Sequence, residues 1–245
     1  MYILKKEIVV AALCFFMSLL LSGVSYADND GTENKPDKET EIKSSMFVYK
    51  PPLRGAPKTR VGAGVRGTGS SDVVLQIIVP EGTGLTLRSK PVLYWYSENV
   101  KTSVIEFSLI DDNGIDPVLE VRMENKGKTG LNKIDLSGHN IELKQGMEYQ
   151  WAVAAVYDDK SRSGDVFASG TLRMSDNNSE LKELLKKTNG ISRVSLLLEN
   201  GIWYDAFDEI SVLINADSND KRLKEIRNVM LTQIGLEDVR DKIKK

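Results

Sequence analysis

Three regimes of hydrophobic patterning divide the chain. Residues 8–21 form an almost unbroken apolar run. Between 73 and 174 the apolar residues come in short runs or alternate with polar ones. Val73–Val79 and Pro91–Tyr96 are runs of strand length, and Ile105, Phe107 and Leu109 alternate with polar neighbours before the turn signal Asp112-Asn113-Gly114. Val118–Met123 alternates more loosely, Tyr149, Trp151, Val153 and Ala155 share one strand face, and Val166–Leu172 closes the series. Met46–Tyr49 reads as a further short strand. Roughly seven short strands separated by turns predict an antiparallel β-sandwich of the immunoglobulin or fibronectin type III kind. Leu143-Lys-Gln-Gly146-Met-Glu-Tyr149-Gln-Trp151 has the form of the entry to its penultimate strand, where a tyrosine hydroxyl bonds back to nearby backbone. The plainer alternative is an ordinary strand that carries an aromatic residue.

From Asp176 the period becomes helical. Asn178 or Ser179 caps a helix with Leu181, Leu184 and Leu185, ended by Asn189-Gly190. Further helices are predicted over 191–199, 202–214, 223–234 and 236–243. The third has a broad apolar face of Ile202, Trp203, Ala206, Phe207, Ile210, Leu213 and Ile214. Leu197 and Leu231, Gly201 and Gly235, and Ile202 and Leu236 all stand 34 residues apart, the tetratricopeptide period. Gly201-x-Trp203-x-x-Ala206 resembles that motif's glycine-aromatic-alanine run, although Arg240 stands where Ala206 would repeat. One and a half repeats are too few to stand alone, so a tetratricopeptide-like helical cap packed on the sandwich is expected. The expected division is a β-sandwich domain over 46–174 with a basic N-terminal segment, and a helical domain over 175–245.

The apolar run near the start changes the chemical setting. Lys5 and Lys6 precede it, and Ser25-Tyr26-Ala27 places small residues at positions −3 and −1 of a cleavage site. This is the layout of a secretory signal peptide over 1–27, and it predicts export to the periplasm, with release from the cell as the alternative. An uncleaved anchor is the rival reading, but the run is short for a spanning helix and is thinned by Ser18, Ser22 and Gly23. Cys14 lies within the run, so no lipid-attachment cysteine follows the cleavage point. Residues 28–45 mix both charges without an apolar cluster and read as a flexible linker.

Cleavage after Ala27 removes Lys5, Lys6 and Glu7 and takes the formal net charge from −2 to −3. A near-neutral chain argues against a dedicated nucleic-acid binder. The only cysteine leaves with the signal, which excludes disulfides, thiolate nucleophiles and cysteine metal sites from the mature chain. No cofactor, metal site or stable membrane span is expected there.

Gly62-Ala-Gly64-Val-Arg-Gly67 matches GxGxxG, but it lacks the preceding strand and following helix that a dinucleotide site requires. The surrounding segment is more informative. Lys50, Arg54, Lys58, Arg60 and Arg66 occur with no acid before Asp72, among Pro51, Pro52 and Pro57. Guanidinium groups of Arg54, Arg60 and Arg66 could grip carboxylates or phosphates in bidentate fashion. The alternative is a surface loop paired with the protein's own acids. His139, the only histidine, reads as a turn residue, and Asp111-Asp112 and Asp158-Asp159 read as turn chemistry.

Several blocks occur in a telling order. Pro51-Pro-Leu-Arg-Gly55-Ala-Pro57 and Arg60-Val-Gly62-Ala-Gly64-Val-Arg66-Gly67 resemble the opening signature of a secreted bacterial family, domain of unknown function 928. Pro91–Tyr96, Glu106–Leu109 with Asp112-Asn-Gly114, Gly164–Phe167 and Gly201-Ile-Trp-Tyr-Asp-Ala206 resemble its later blocks, over roughly 47–236. Ala63 replaces an expected glycine. The resemblance implies export and supplies no catalytic residues.

These readings converge on a non-enzymatic envelope protein acting as a binding or adaptor module, with an envelope protein or anionic glycan as partner. Arg54, Arg60 and Arg66 are the first candidate contacts, and Trp203 and Tyr204 the second if their helical face is exposed. The alternatives are an enzyme that acts on envelope polysaccharide through Asp and Glu, and an inhibitor or chaperone of another exported protein.

Overall fold

A computed structural model describes residues 46–52, 60–61, 73–112, 114–125, 127–176 and 179–243. The expected signal segment and linker, the GxGxxG match, Arg54 and Arg66 lie outside the described residues.

Alternation in the sequence becomes strands where one face is buried. The strands are β1 (Val74–Ile77), β2 (Gly84–Thr86), β3 (Val92–Glu98), β4 (Val104–Asp111), β5 (Leu119–Glu124), β6 (Gly130–Asp135), β7 (Glu148–Val156) and β8 (Val166–Met174). They form a three-stranded sheet in the order β1-β3-β6 and a five-stranded sheet in the order β2-β8-β7-β4-β5. Between these described strands the pairings are antiparallel except β2 with β8, which is parallel. This corrects the expectation of a wholly antiparallel arrangement. The turn at Pro80–Thr83 carries the chain from one sheet to the other, so β2 arrives at the edge of β8 running in the same direction. Met46–Tyr49 belongs to no strand among the described residues, with Met46 in a turn and Phe47 in a bend, which corrects its assignment as one.

β3 positions everything else. It does not alternate because both of its faces are buried. Trp95 is paired with Ile77 and shares its face, and Ile77 and Val79 lie directly over Gly170 of β8. That face meets the five-stranded sheet. On the other face Tyr94 packs edge-on against Phe207 of a helix, with ring centroids 5.3 Å apart, and Glu98 pairs with Lys242. The three-stranded sheet is therefore the middle layer, with the five-stranded sheet on one side and helices on the other.

Five helices follow: α1 (Ser179–Lys186), α2 (Gly190–Glu199), α3 (Trp203–Ala216), α4 (Lys221–Gln233) and α5 (Glu237–Ile243). Gly190 opens α2 instead of ending α1, contrary to expectation, and Leu184 of α1 is exposed. The C-termini of α2 and α4 are built alike. Gly201 (φ +72°) and Gly235 (φ +69°) take the left-handed conformation that glycine adopts without Cβ strain. Gly201 N–H donates to Leu198 O (3.0 Å) and Ile202 N–H to Leu197 O (2.9 Å). Gly235 N–H donates to Thr232 O (3.1 Å) and Leu236 N–H to Leu231 O (2.9 Å). Each is a Schellman cap, placed 34 residues apart.

Strands and helices share one continuous buried cluster that runs from Phe47 to Val239, within a unit spanning Asp37–Lys245. Among the described residues no helix is long and apolar enough to cross a membrane.

Candidate functional site

Residues 46–52 lie in a cleft bordered by α2, the N-terminus of α3 and the end of α4. Their alternation decides which side chains enter. Phe47 and Tyr49 are 2% and 8% exposed, whereas Met46 and Val48 are 52% and 43% exposed. The Gln233 side chain brackets the backbone: its Nε2 donates to Phe47 O (2.6 Å) and its Oε1 accepts from Tyr49 N–H (2.7 Å). Ser195 Oγ donates to Met46 O (2.5 Å), and Lys50 N–H donates to Leu198 O (3.1 Å). A side-chain amide thus supplies the donor and acceptor that a neighbouring strand would offer. A Cβ on Gly201 would meet Lys50 O at 2.6 Å, so the absence of a side chain there lets this strap pass.

The Tyr49 ring packs edge-on to Trp203 at 5.2 Å, a favourable aromatic geometry. Its hydroxyl is buried and, among the described residues, has no hydrogen-bond partner. Burial accordingly pushes the Tyr49 phenol pKa well up.

Arg60 is committed to the fold. Its Nη1 donates to Val79 O (2.7 Å) and Ile234 O (2.9 Å), and its Nη2 to Gly235 O (3.3 Å). A cation at a helix C-terminus satisfies carbonyls that lack intrahelical partners. The guanidinium therefore ties the end of α4 to the chain just after β1, instead of pointing to a ligand. Burial lowers its pKa, with Glu81 and Glu237 opposing.

Trp203 and Tyr204 do not meet the condition of an exposed helical face; they are 0% and 2% exposed. The N-terminus of α3 is inserted at the junction of the layers. Trp203 Nε1 donates to Ile78 O (2.9 Å), and Phe207 stacks on the indole at 5.9 Å. Tyr204 Oη donates to Thr171 O (3.0 Å) and accepts from Trp151 Nε1 (3.0 Å). Both aromatics belong to the core.

A second polar cluster sits beside them. Asp205 Oδ2 accepts from Leu87 N–H (3.0 Å), and its Oδ1 lies 3.3 Å from Arg88 Nε. Asp208 Oδ1 accepts from Tyr94 Oη (2.9 Å), and its Oδ2 from Arg88 Nη1 (2.5 Å). Burial raises the Asp205 pKa, while Arg88 and the Leu87 N–H act against it. All four carboxylate oxygens are engaged, and the two acids stand three residues apart on one helix. This arrangement braces α3 against the β2–β3 connection; it offers no free acid–base pair across a cleft.

The remaining candidates are local. Asp158 accepts from Lys160 N–H, and Asp159 pairs with Arg122 at 2.6 Å. Arg162 pairs with Glu106 at 2.9 Å and with Asp165. Gly114 N–H donates to Asp111 O in the β4–β5 turn. His139 follows a short 3-10 turn and donates its N–H to Leu136 O.

Sequence reasoning missed the strap cleft. Gln233 and Ser195 are ordinary helical residues, and Gly201 was read only as part of a helical repeat. The available signal was the pattern Met46-Phe47-Val48-Tyr49, whose period of two was assigned to a sheet.

The family model for Domain of Unknown Function (DUF928) matches residues 61–243, so residues 46–52 precede the matched region. No curated protein matches the chain. The crystal structure of an engineered protein is 11% identical, covering 42% of this chain and 20% of that one with a TM-score of 0.29. A likeness that weak carries no argument about the fold.

Proposed function

We propose a function for a chain that belongs to the Domain of Unknown Function (DUF928) family: it is an exported, non-enzymatic binding or adaptor module of the cell envelope. Residues 1–27 direct export, residues 28–45 tether the folded part, and the periplasm is the destination. The observation that carries the binding assignment is the strap. The helical layer holds a short polypeptide segment through hydrogen bonds to its main chain and two buried aromatic side chains. This is a recognition mode suited to protein partners.

Two finer assignments belong to the same reading. The sheets are of the immunoglobulin or fibronectin type III kind. Supporting this are the strand orders and the Tyr149 hydroxyl, which accepts from Lys144 N–H at 3.0 Å, five residues upstream. The helices are a truncated tetratricopeptide-like cap, supported by matching Schellman caps at the 34-residue spacing. Arg54 and Arg66 are proposed as contacts of the basic segment with an acidic partner or anionic glycan; Arg60 is withdrawn from that set because its Nη1 and Nη2 groups bond main-chain carbonyls of the fold.

An enzyme acting on envelope polysaccharide is the weaker reading, since the buried carboxylates Asp205 and Asp208 are fully bonded within the protein. An inhibitor or chaperone differs from an adaptor only in its partner. Crosslinking of the exported protein in its native envelope, followed by mass spectrometry, tests the proposal. The expected result is a reproducible protein partner that is reduced by Arg54→Ala with Arg66→Ala. Hydrolysis of an envelope glycan by the purified chain, with no partner captured, would overturn it.

A further inference from the structure

We infer that the cleft between α2, α3 and α4 is an exchangeable peptide site, and that residues 46–52 are its resident ligand in cis. The partner segment carries large apolar or aromatic side chains two residues apart. This rests on the binding-module reading and names the chemistry that the module recognises.

Three observations converge. First, recognition is directed at backbone. Gln233 contacts the C=O of Phe47 and the N–H of Tyr49, Ser195 contacts the carbonyl of Met46, and Leu198 O takes the N–H of Lys50. None of these bonds reads a side chain, so any segment that follows the same backbone path can make them. Side-chain selection is left to the places that hold Phe47 and Tyr49. Second, the resident is imperfect. The Tyr49 hydroxyl is buried without a partner among the described residues, and an unpaired buried hydroxyl carries a desolvation penalty. A segment with phenylalanine at that position escapes the penalty and competes favourably. Third, the strap lies before the region matched by the family, 61–243, while the α2, α3 and α4 walls lie within it. The walls of the cleft thus lie within the matched region and the strap lies ahead of it.

The exposed residues fit this role. Met46 and Val48 face solvent, so exchange requires only the Phe47 and Tyr49 side chains to leave the buried cluster. A resident ligand reduces the apparent affinity of a competitor by the fraction of open clefts. Changes to the strap should therefore alter binding in trans in a direction that depends on how well the variant strap fits.

The test uses fluorescence anisotropy with a labelled peptide of residues 46–52, Met-Phe-Val-Tyr-Lys-Pro-Pro, and the full mature chain. Tyr49→Phe in the chain strengthens the resident strap, and trans binding should weaken about fivefold, which is about 1 kcal/mol on the scale where tenfold is 1.4 kcal/mol. Phe47→Ala in the chain loosens the strap, and trans binding should tighten tenfold or more. A peptide with alanine at both aromatic positions should not bind. If the Phe47→Ala chain does not fold, the Tyr49→Phe comparison decides alone, because general damage would not make the chain both more stable and less receptive. No peptide binding to any of the chains, or equal affinity across them, overturns the inference. Concentration-dependent dimers that exchange straps would instead assign the cleft to a second copy and overturn the partner segment proposed here. Failure of peptide binding alongside a captured envelope partner would remove this site and leave the binding-module reading standing.

Discussion

Replacing Gly201 and Gly235 separately with alanine isolates the energetic value of the strap. Both glycines are left-handed, both close a Schellman cap with nearly the same bond lengths, and they stand 34 residues apart. The backbone strain of an alanine at either site is therefore similar, about 1–2 kcal/mol. Their surroundings differ. A Cβ at 235 meets nothing within 4 Å, whereas a Cβ at 201 would stand 2.6 Å from Lys50 O. That neighbour is backbone and must move. The movement breaks the Lys50 N–H bond to Leu198 O, worth about 1 kcal/mol. It also lifts Phe47 and Tyr49 partly from burial, where full exposure of such a side chain costs about 1.5–3 kcal/mol. We expect Gly235→Ala to cost about 1–2 kcal/mol and Gly201→Ala about 1–3 kcal/mol more. Urea denaturation followed by tryptophan fluorescence measures both, with comparable m-values licensing the comparison. Limited proteolysis should then cut Gly201→Ala, and not Gly235→Ala, near residues 46–52. Equal destabilisation within about 0.5 kcal/mol, at a precision typical of such additivity tests, would refute the claim that the strap presses on the Gly201 turn.

Other outcomes follow from the polar groups. Arg88→Ala leaves Asp205 and Asp208 buried without their cation. Because Arg88 is itself 40% exposed, solvent softens the loss to about 2–3 kcal/mol, measurable by denaturation. Asp205 has a folded pKa raised above its ordinary 3.8, so its contribution to stability is most favourable below that value and declines as pH rises through the folded pKa. Asp205→Asn retains an acceptor for Leu87 N–H and abolishes this titration. Its stability relative to the parent should therefore rise with pH over that window, and a flat difference would contradict the assignment. Tyr149→Phe removes the hydroxyl that accepts Lys144 N–H and should cost about 1 kcal/mol in the same assay.

The parts of this fold that follow a local period were legible in the sequence. β4 and β7 alternate because one face is buried, and the glycine pair at 201 and 235 announced two equivalent helix ends. β2 and β6 were not legible. One is three residues long, and the other, Gly-Leu-Asn-Lys-Ile-Asp, lacks alternation. The burial of Trp203 and Tyr204 was obscured because a helix wedged between layers is apolar on more than one side, so its sequence does not reveal which aromatic is covered. Arg60 illustrates the general difficulty. A basic segment looks like a ligand site until carbonyls at Val79, Ile234 and Gly235 are brought to it by the tertiary fold. Phe47 and Tyr49 had the right period, but their partner was a glutamine side chain 184 residues from Tyr49, not a strand.

The most direct test of the binding-module account places a photo-crosslinking amino acid at Val48, on the outward face of the strap, in the exported protein within its native envelope. The account predicts covalent capture of a specific polypeptide, with the yield falling when Gln233→Ala disrupts the cleft. Capture of no polypeptide, together with turnover of envelope polysaccharide by the purified chain, would contradict it.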